Sequence, residues 1–511
     1  MSTLNQIKIE NNSGLDATQY TVWVAGFMAD AMDGTKFQTL QTKGNFSAAA
    51  VASTAPFINV NNGLSIDVPD VTNSGNNRLV FTVTSATDTP PDYPLNGYTA
   101  YPFPGVPGVA PAGPYDIFEF GPNAQYDVSA VDSFGMNLSF TVSGDTSTYG
   151  VVTSISRAQI ATAFTSFMST DPCGTNFSQL LFTSPTSAGY PQLIETQFSA
   201  IVSPKDWLAI YPTTAGLSDY WQNTVDALFT SGNQLSFYLN GATVGTYTGS
   251  SDGTQFTFSG PDQMSIVVPK SDFAGVQPFV QSVRGSNGGT QATANAIVQD
   301  GVVVAIQVTN GGSGYIAPPL VAISPQGNDG TSAVAVATIE DGVVTQINVT
   351  NGGSQYADSA QVLFSEQSPT EYAAFGQIEA AIFEAFSRGV VLDGVMDSSS
   401  TIPTNYSSDA WTNTSNWYSN HNNAYNQAPS VYDAYAKFFH TGKVEGTSIF
   451  GLNSSGQFAM VYGFSLDENP NVGSSSQNIP PGSWPGSLNV PAKTNYNVGS
   501  QTVTVTIGPW V

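Results

Sequence analysis

Five short stretches in the first 150 residues alternate apolar and polar side chains: NQIKIEN, YTVWVAGF, NRLVFTVTS, YDIFEF and MNLSFTVS. A period of two sends successive side chains to opposite faces of a strand and fits no helix. Clusters of Gly, Pro, Asn and Asp separate the stretches, and YPFPGVPGVAPAGP (101–114) is a proline-rich loop leading into YDIFEF. Short strands with turns at this spacing fold as a sandwich or a barrel.

The same alternation puts two carboxylates in unusual company. In YDIFEF, Glu119 shares a face with Tyr115 and Ile117. In the strand VDSFGMNLSF (131–140), Asp132 shares a face with Phe134, Met136, Leu138 and Phe140, opposite Ser133, Gly135, Asn137 and Ser139. An acid on an apolar face is poorly solvated, which favours its protonated form. Glycoside cleavage needs such a group to protonate the leaving oxygen, and a second, ionised carboxylate to activate water or attack the sugar. Glu119 is the candidate acid and Asp132 the candidate second carboxylate. Both line one cleft if their strands are neighbours across GPNAQYDVSA. The plainer reading makes Asp132 a strand-start residue and leaves Glu119 facing solvent, with Asp116 and Asp127 close enough in sequence to compete for either role.

From about residue 154 the period changes. SRAQIATAFTSFMST carries Ile160, Phe164 and Phe167 at helical spacing. LSDYWQNTVDALFTSG (217–232) reads as a helix capped by Ser218 and stopped by Gly232. SPTEYAAFGQIEAAIFEAFSRG (368–389) has a capping box in Ser368 and Glu371 and a stop at Gly389, and VYDAYAKFFHTG (431–442) is a shorter helix. Strands return in QLSFYLNG, TVGTYTG, QFTFSG and MSIVVP, and later in QFAMVYGFSL and QTVTVTIG. The expected organisation is a β part over 1–153 joined by C-terminal strands from 455–511, and a mixed α/β part over 154–282 and 367–454.

Residues 283–366 interrupt this plan. GGTQATANAIVQDGVVVAIQVTNGGSGY recurs as DGTSAVAVATIEDGVVTQINVTNGGSQY, 41 positions apart at Gly301/Gly342 and at Thr309/Thr350. A fixed period marks two copies of one supersecondary unit. Each copy reads strand, Asp-Gly turn, strand, Asn-Gly-Gly turn. The turns lack the aspartates of calcium-binding repeats. The insertion is either a spacer or a contact module for polymer binding or self-association.

Charge narrows the partners. The chain has 511 residues, 12 Lys and Arg against 37 Asp and Glu, and a net charge of −25. So acidic a surface repels phosphate backbones and anionic lipid, which argues against nucleic-acid and membrane roles. Neutral polar groups with 12% aromatics suit carbohydrate instead. Cys173 is the single cysteine, so no internal disulfide forms, and His421 and His440 lie outside any metal-ligand pattern. No metal or cofactor is expected. No apolar run has the length of a membrane span, and MSTLNQIKIENNSG does not read as a signal peptide. The composition suits a protein working outside the cell or on its surface.

IFEF (117–120) followed by AVDSFGMNLSF (130–140) resembles the catalytic segment of glycoside hydrolase family 64, the β-1,3-glucanases with a thaumatin-like fold. IEAAIFEAFSRGVVL (378–392), YDAYAKFFHTGKVEGTSIFGL (432–452), MVYGFSLDENPNV (460–472) and the closing VTVTIG strand are similar to later family segments. The resemblance spans most of 1–282 and 367–511. It implies a β-sandwich or barrel domain and an α/β domain forming a cleft. It also implies an inverting, endo-type hydrolysis of β-1,3-glucan to short oligosaccharides, with Glu119 as general acid, Asp132 as general base and no cofactor. Tyr115, Tyr462 and Asp467 are the implied substrate contacts. Gly121 stands where the family tends to carry Thr, and FSLDE departs from the family's Tyr-Asp-Asp run. His440 reads as structural. A non-catalytic glucan-binding or self-assembling protein on the same fold is the alternative.

Overall fold

The computed structural model describes residues 3–30, 35–69, 74–95, 114–121, 125–128, 130, 132–144, 146, 148–152, 154–183, 198–240, 244–261, 265–280, 290–323, 331–357, 360–364, 369–393, 411, 416–419, 431–451 and 500–511. The chain divides into two compact units. Met1–Asp219, Tyr432–Asn478 and Gly486–Val511 form the first, Tyr220–Val431 and Ile479–Pro485 the second.

The first unit is built on two open sheets. One runs, in spatial order, Tyr149–Gly150, Leu138–Val142, Ser500–Ile507, Thr3–Asn11, Leu64–Asp67. The C-terminal strand lies parallel to the N-terminal one from Thr3↔Ser500 to Asn11↔Ile507, so residues from the two ends of the chain share one sheet. The other sheet runs Gln125–Val128, Tyr115–Gly121, Ser74–Ser85, Tyr20–Asp30, Lys36–Thr39, Ala50–Val51, with Ile58–Asn59 joined to Tyr20–Asp30.

Alternation in Tyr115–Gly121 fixes which residues bridge the sheets. Phe118 meets Phe140 edge-on with centroids 5.4 Å apart, Tyr126 meets the same ring at 6.4 Å, and Phe140 stacks on Tyr149 at 4.9 Å. Truncating one such buried ring to Ala typically costs about 3–5 kcal/mol. Tyr115 and Ile117 face the other way and pack with Ala25, Phe27, Val80, Tyr93 and Leu95. Neither sheet closes on itself, so of the two expected arrangements the structure is the sandwich, with no closed barrel among the described residues.

The stretch 131–140 is not one strand. Ser133–Phe134 pairs with Phe198–Val202, whereas Leu138–Val142 pairs with Ser500–Ile507. Between them the chain passes so close to Tyr115 that a Cβ on Gly135 would lie 2.0 Å from the Tyr115 carbonyl oxygen. Ser133, Asn137 and Ser139 are therefore buried instead of facing solvent as simple alternation expects. Helix Arg157–Thr170 follows, capped reciprocally by Ser156 and Gln159. Arg157, Ile160, Phe164 and Met168 are its buried residues, whereas Phe167 is only half-buried and rests against Phe438.

In the second unit, Gln234–Asn240, Val244–Ser251, Gln255–Ser259 and Ser265–Pro269 form an antiparallel sheet. The helix expected from Ser218 begins later, at Gln222–Leu228. The Ser218 amide donates to Thr214 in a preceding turn, and Trp221 is the cap residue, buried against Phe279 and Phe386. Helix Pro369–Arg388 ends at Gly389, whose φ of 76° suits a residue without Cβ. Ser368 and its half of the expected capping box lie outside the described residues.

The repeat folds as two hairpins. Thr293–Gln299 pairs with Val302–Asn310, and Val334–Glu340 with Val343–Asn351. The two-residue turns Asp300-Gly301 and Asp341-Gly342 have positive φ at both positions, the geometry such tight hairpins need. The copies lock reciprocally. Val303 donates to the Gly352 carbonyl and Val344 to that of Gly311, each at 2.9 Å. Tyr315 donates to Gly342 and Tyr356 to Gly301, each at 3.0 Å. Exchanging the copies maps each bond onto its partner, as a local two-fold axis requires.

Candidate active site

Glu119 lies near the end of its strand, on the face opposite Phe118 and Phe120. Its register partners are Arg78 on one side and Asp127 on the other. The Arg78 Nε donates to Glu119 Oε1 at 2.5 Å, with about a fifth of each side chain exposed. The face is apolar at Tyr115 and Ile117, as alternation requires, but a guanidinium meets the carboxylate itself. Oε2 has no hydrogen bond among the described residues.

Arg78 connects the two acids. Burial pulls its pKa down, but the charges of Glu119, Tyr93 and Asp132 outweigh burial and leave it raised. Tyr93 hydrogen-bonds Arg78 and lies within electrostatic reach of both Asp132 and Glu119. Burial foremost, then these anions, raises its phenol above the ordinary value despite the opposing pull of Arg78. Glu119 and Asp132 therefore act on one shared patch of the first unit.

Asp132 is held from two directions. Its carboxylate Oδ1 accepts from Lys205 Nζ at 2.6 Å, and its main-chain carbonyl accepts from the Ser203 amide at 2.9 Å. Both contacts follow from the pairing Ser133↔Val202, which runs the start of helix Pro204–Ile210 beside Asp132. The Ser203 side chain caps that helix by accepting from the Asp206 amide. Lys205 Nζ also lies 3.5 Å from Asp206 Oδ1. Burial, then the Asp132 charge, pushes the Asp206 carboxyl up to about 7 against the pull of Lys205. Burial lowers the Lys205 pKa, but the two aspartates raise it more.

Asp116 does not compete for a catalytic role. It is 1% exposed, and its carboxylate accepts from the amides of Ile117 (2.9 Å), Gly135 (3.2 Å) and Met136 (3.3 Å). Burial raises its pKa well above the ordinary value. It clasps the turn after Asp132 to the strand of Glu119, and so fixes one acid against the other. Gly135 supports the same clasp by allowing the close approach of Tyr115, and its carbonyl accepts from Arg157 Nε at 2.7 Å.

Tyr115 is 2% exposed and packs among Ala25, Val80 and Tyr93, with its phenol in electrostatic reach of Asp132. Burial, then Asp132 and Asp206, raises that phenol well above the ordinary value and keeps it a donor. Tyr462 and Asp467 lie outside the described residues. His440 is buried, in the last turn of helix Ala434–Thr441. Among the described residues no cluster of His, Cys, Asp and Glu could hold a metal.

Arg78, Tyr93, Lys205 and Asp206 escaped the sequence reading. Arg78 stands on the period of Val80, Thr82 and Thr84 in NRLVFTVTS, opposite Leu79, Phe81 and Val83, so its signal was its rarity as one of 12 cations. SPKDW (203–207) also had one, as a Ser cap with Pro in the first turn and Asp three residues on. Nothing local joins 205 to 132.

Residues 112–309 match the family model of glycoside hydrolase family 64, described as beta-1,3-glucanase. No curated protein matches the chain. Among solved structures, a laminaripentaose-producing β-1,3-glucanase in complex with laminaritetraose is similar at TM-score 0.50 and 12% identity. That alignment covers 100% of this chain and 99% of the other. A family 64 β-1,3-glucanase domain from Clostridium beijerinckii aligns at TM-score 0.44 and 13% identity, over 99% and 98% of the two chains. At these identities the likeness of the first shows the fold alone. The segment that matches the family model carries Glu119, Asp132 and Lys205, whose ammonium holds Asp132.

Proposed function

We propose that the chain hydrolyses β-1,3-glucan with Glu119 as general acid and Asp132 as general base. The observation that carries this reading is the shared patch: Arg78 and Tyr93 each feel both acids, within the segment that matches the β-1,3-glucanase family. Arg78 occupies Glu119 Oε1, which leaves Oε2 to meet the glycosidic oxygen. Asp132, tethered by Lys205, takes a proton from the attacking water. The C1–O bond breaks as Glu119 protonates the leaving oxygen, and water arrives on the opposite face of the sugar. The reaction is inverting, and endo-type cleavage releases short oligosaccharides. Tyr462 and Asp467 contribute to substrate binding, and the buried Tyr115 acts on the site through Asp132. A polymeric substrate of this kind is met outside the cell or at its surface, and among the described residues no helix is long and apolar enough to cross a membrane.

Proton NMR of the first products from laminarin tests the stereochemistry. Inversion at a β-linkage gives the α-anomer first, and initial β-anomer would overturn the assignment.

A second reading, self-association through 283–366, rests on exposed aliphatic side chains in the repeat. Leu320 is 78% exposed, Val336 54% and Leu363 51%. Light scattering of the chain before and after Leu320→Lys tests it, and an unchanged mass would remove it.

A further inference from the structure

Lys205, Asp132 and Asp206 are two carboxyls and one ammonium, each about a quarter exposed or less: 25%, 14% and 19%. Fully ionised, the trio carries a net negative charge in a poorly solvated place. One added proton on a carboxyl makes it neutral. Lys205 bonds Asp132 at 2.6 Å but reaches Asp206 only at 3.5 Å, so Asp206 is the carboxyl with the weaker cationic partner. One ammonium meets both carboxyls, so Asp132 and Asp206 lie side by side, and a proton on the more weakly paired one relieves their repulsion.

We propose that Asp206 is a positioning residue for Asp132: it carries a proton that it donates to the Asp132 carboxylate, and with Lys205 it fixes that carboxylate for attack on water. The inference rests on the reading of Asp132 as general base.

The surroundings agree. The other groups facing the trio are Arg78 and Tyr93, which act on Asp132, Asp116 and the phenol of Tyr115 from the strand of Glu119, and the phenol of Tyr435 from helix Ala434–Thr441. Burial foremost, with nearby carboxylates adding, raises both phenols well above their ordinary value, so neither ionises near neutrality. Asp433 acts on Tyr435 from the same helix cap, and Asp116 from the strand of Glu119. The Asp206 carboxyl, pushed up to about 7, is the member of the trio whose proton leaves near neutral pH. Its departure places a second negative charge beside Asp132 and removes a donor. The alkaline limb of kcat/KM then reports Asp206 together with the general acid Glu119.

The experiment compares wild type, Asp206→Asn and Asp206→Ala by pH profile on laminarin, and follows aspartate carboxyl titration by 13C NMR in the resting protein. In wild type the Asp206 carboxyl titrates near pH 7 alongside that of Asp433, and the Asp206 titration is the one absent in Asp206→Asn and shifted down by about one unit in Asp132→Asn. Asp206→Asn keeps a donor, so kcat falls about threefold while the alkaline limb moves up by a unit or more. Asp206→Ala loses the donor, so kcat falls about tenfold to a hundredfold with KM within about twofold. An alkaline limb unmoved in Asp206→Asn, or a carboxyl titration indifferent to Asp132→Asn, overturns the proposal. The NMR arm needs no activity. A wild type that shows the Asp206 titration yet hydrolyses no glucan would sink the hydrolase reading alone, whereas an active wild type with no titration near 7 that Asp206→Asn removes would sink this inference alone.

Discussion

The acid patch of the first unit and the repeat of the second solve opposite problems. The patch gathers Arg78, Glu119, Asp132, Lys205 and Asp206 from segments up to 128 positions apart, counting from 78 to 206. The repeat has no Lys or Arg between 285 and 366, and its parts meet through hairpins and reciprocal backbone bonds. Charges in a chain this poor in them are costly to bury unless paired, so their clustering marks a place where charge is used. Apolar strands and tight turns need no such partner, and mark a place where shape alone is specified.

Breaking the close approach at Gly135 should have the largest effect. Gly135→Val drives a side chain into the Tyr115 backbone, where even a Cβ would lie 2.0 Å from oxygen. Loss of on the order of 3 kcal/mol or more, read by urea unfolding, is expected, together with loss of hydrolysis as the two acids part.

A pH-dependent contrast comes next. Asp433 caps helix Ala434–Thr441 from a fully buried position, and burial pushes its carboxyl up to about 7. Its folded pKa exceeds its unfolded value near 3.8, so the folded state holds the proton more tightly. The stabilisation is present below about pH 4 and is lost as pH rises through about 7. Asp433→Asn removes this dependence and should gain on wild type between pH 5 and pH 8, by on the order of 1–3 kcal/mol in chemical unfolding. An offset that does not change with pH would contradict it.

In the repeat, Gly342→Ala forces a side chain onto φ of 72° in the hairpin turn. The expected loss is about 1 kcal/mol, confined to the second unit and read as faster amide exchange in Val334–Asn351, with hydrolysis unchanged. Deleting 285–365 sharpens the comparison further, with soluble protein that melts cooperatively and retains glucan hydrolysis. Insoluble protein would count against reading the segment as an insertion.

The same contrast explains what could be read in advance. The repeat hairpins follow from local signals: period-two strands around Asp-Gly, with a 41-residue offset carried through to residue pairs such as Val303 and Val344. Tyr115–Gly121 was legible for the same reason. The stretch after Asp132 was not, because its alternation breaks where Gly135 passes Tyr115, and that contact is visible in neither segment alone. Lys205 and Asp206 reach Asp132 only through the pairing of Ser133 with Val202, and no periodicity announces such a pairing. Arg78 was in plain view, but its meaning depends on lying across from Glu119 in register.

The central claim is that Glu119 and Asp132 form one catalytic pair, and release of reducing sugar from laminarin and curdlan tests it most directly. Wild type is expected to be active, and Glu119→Gln and Asp132→Asn each to lose activity by orders of magnitude while melting as wild type does. Activity in either variant within about tenfold of wild type, or no activity in wild type from pH 4 to 8, would contradict the account.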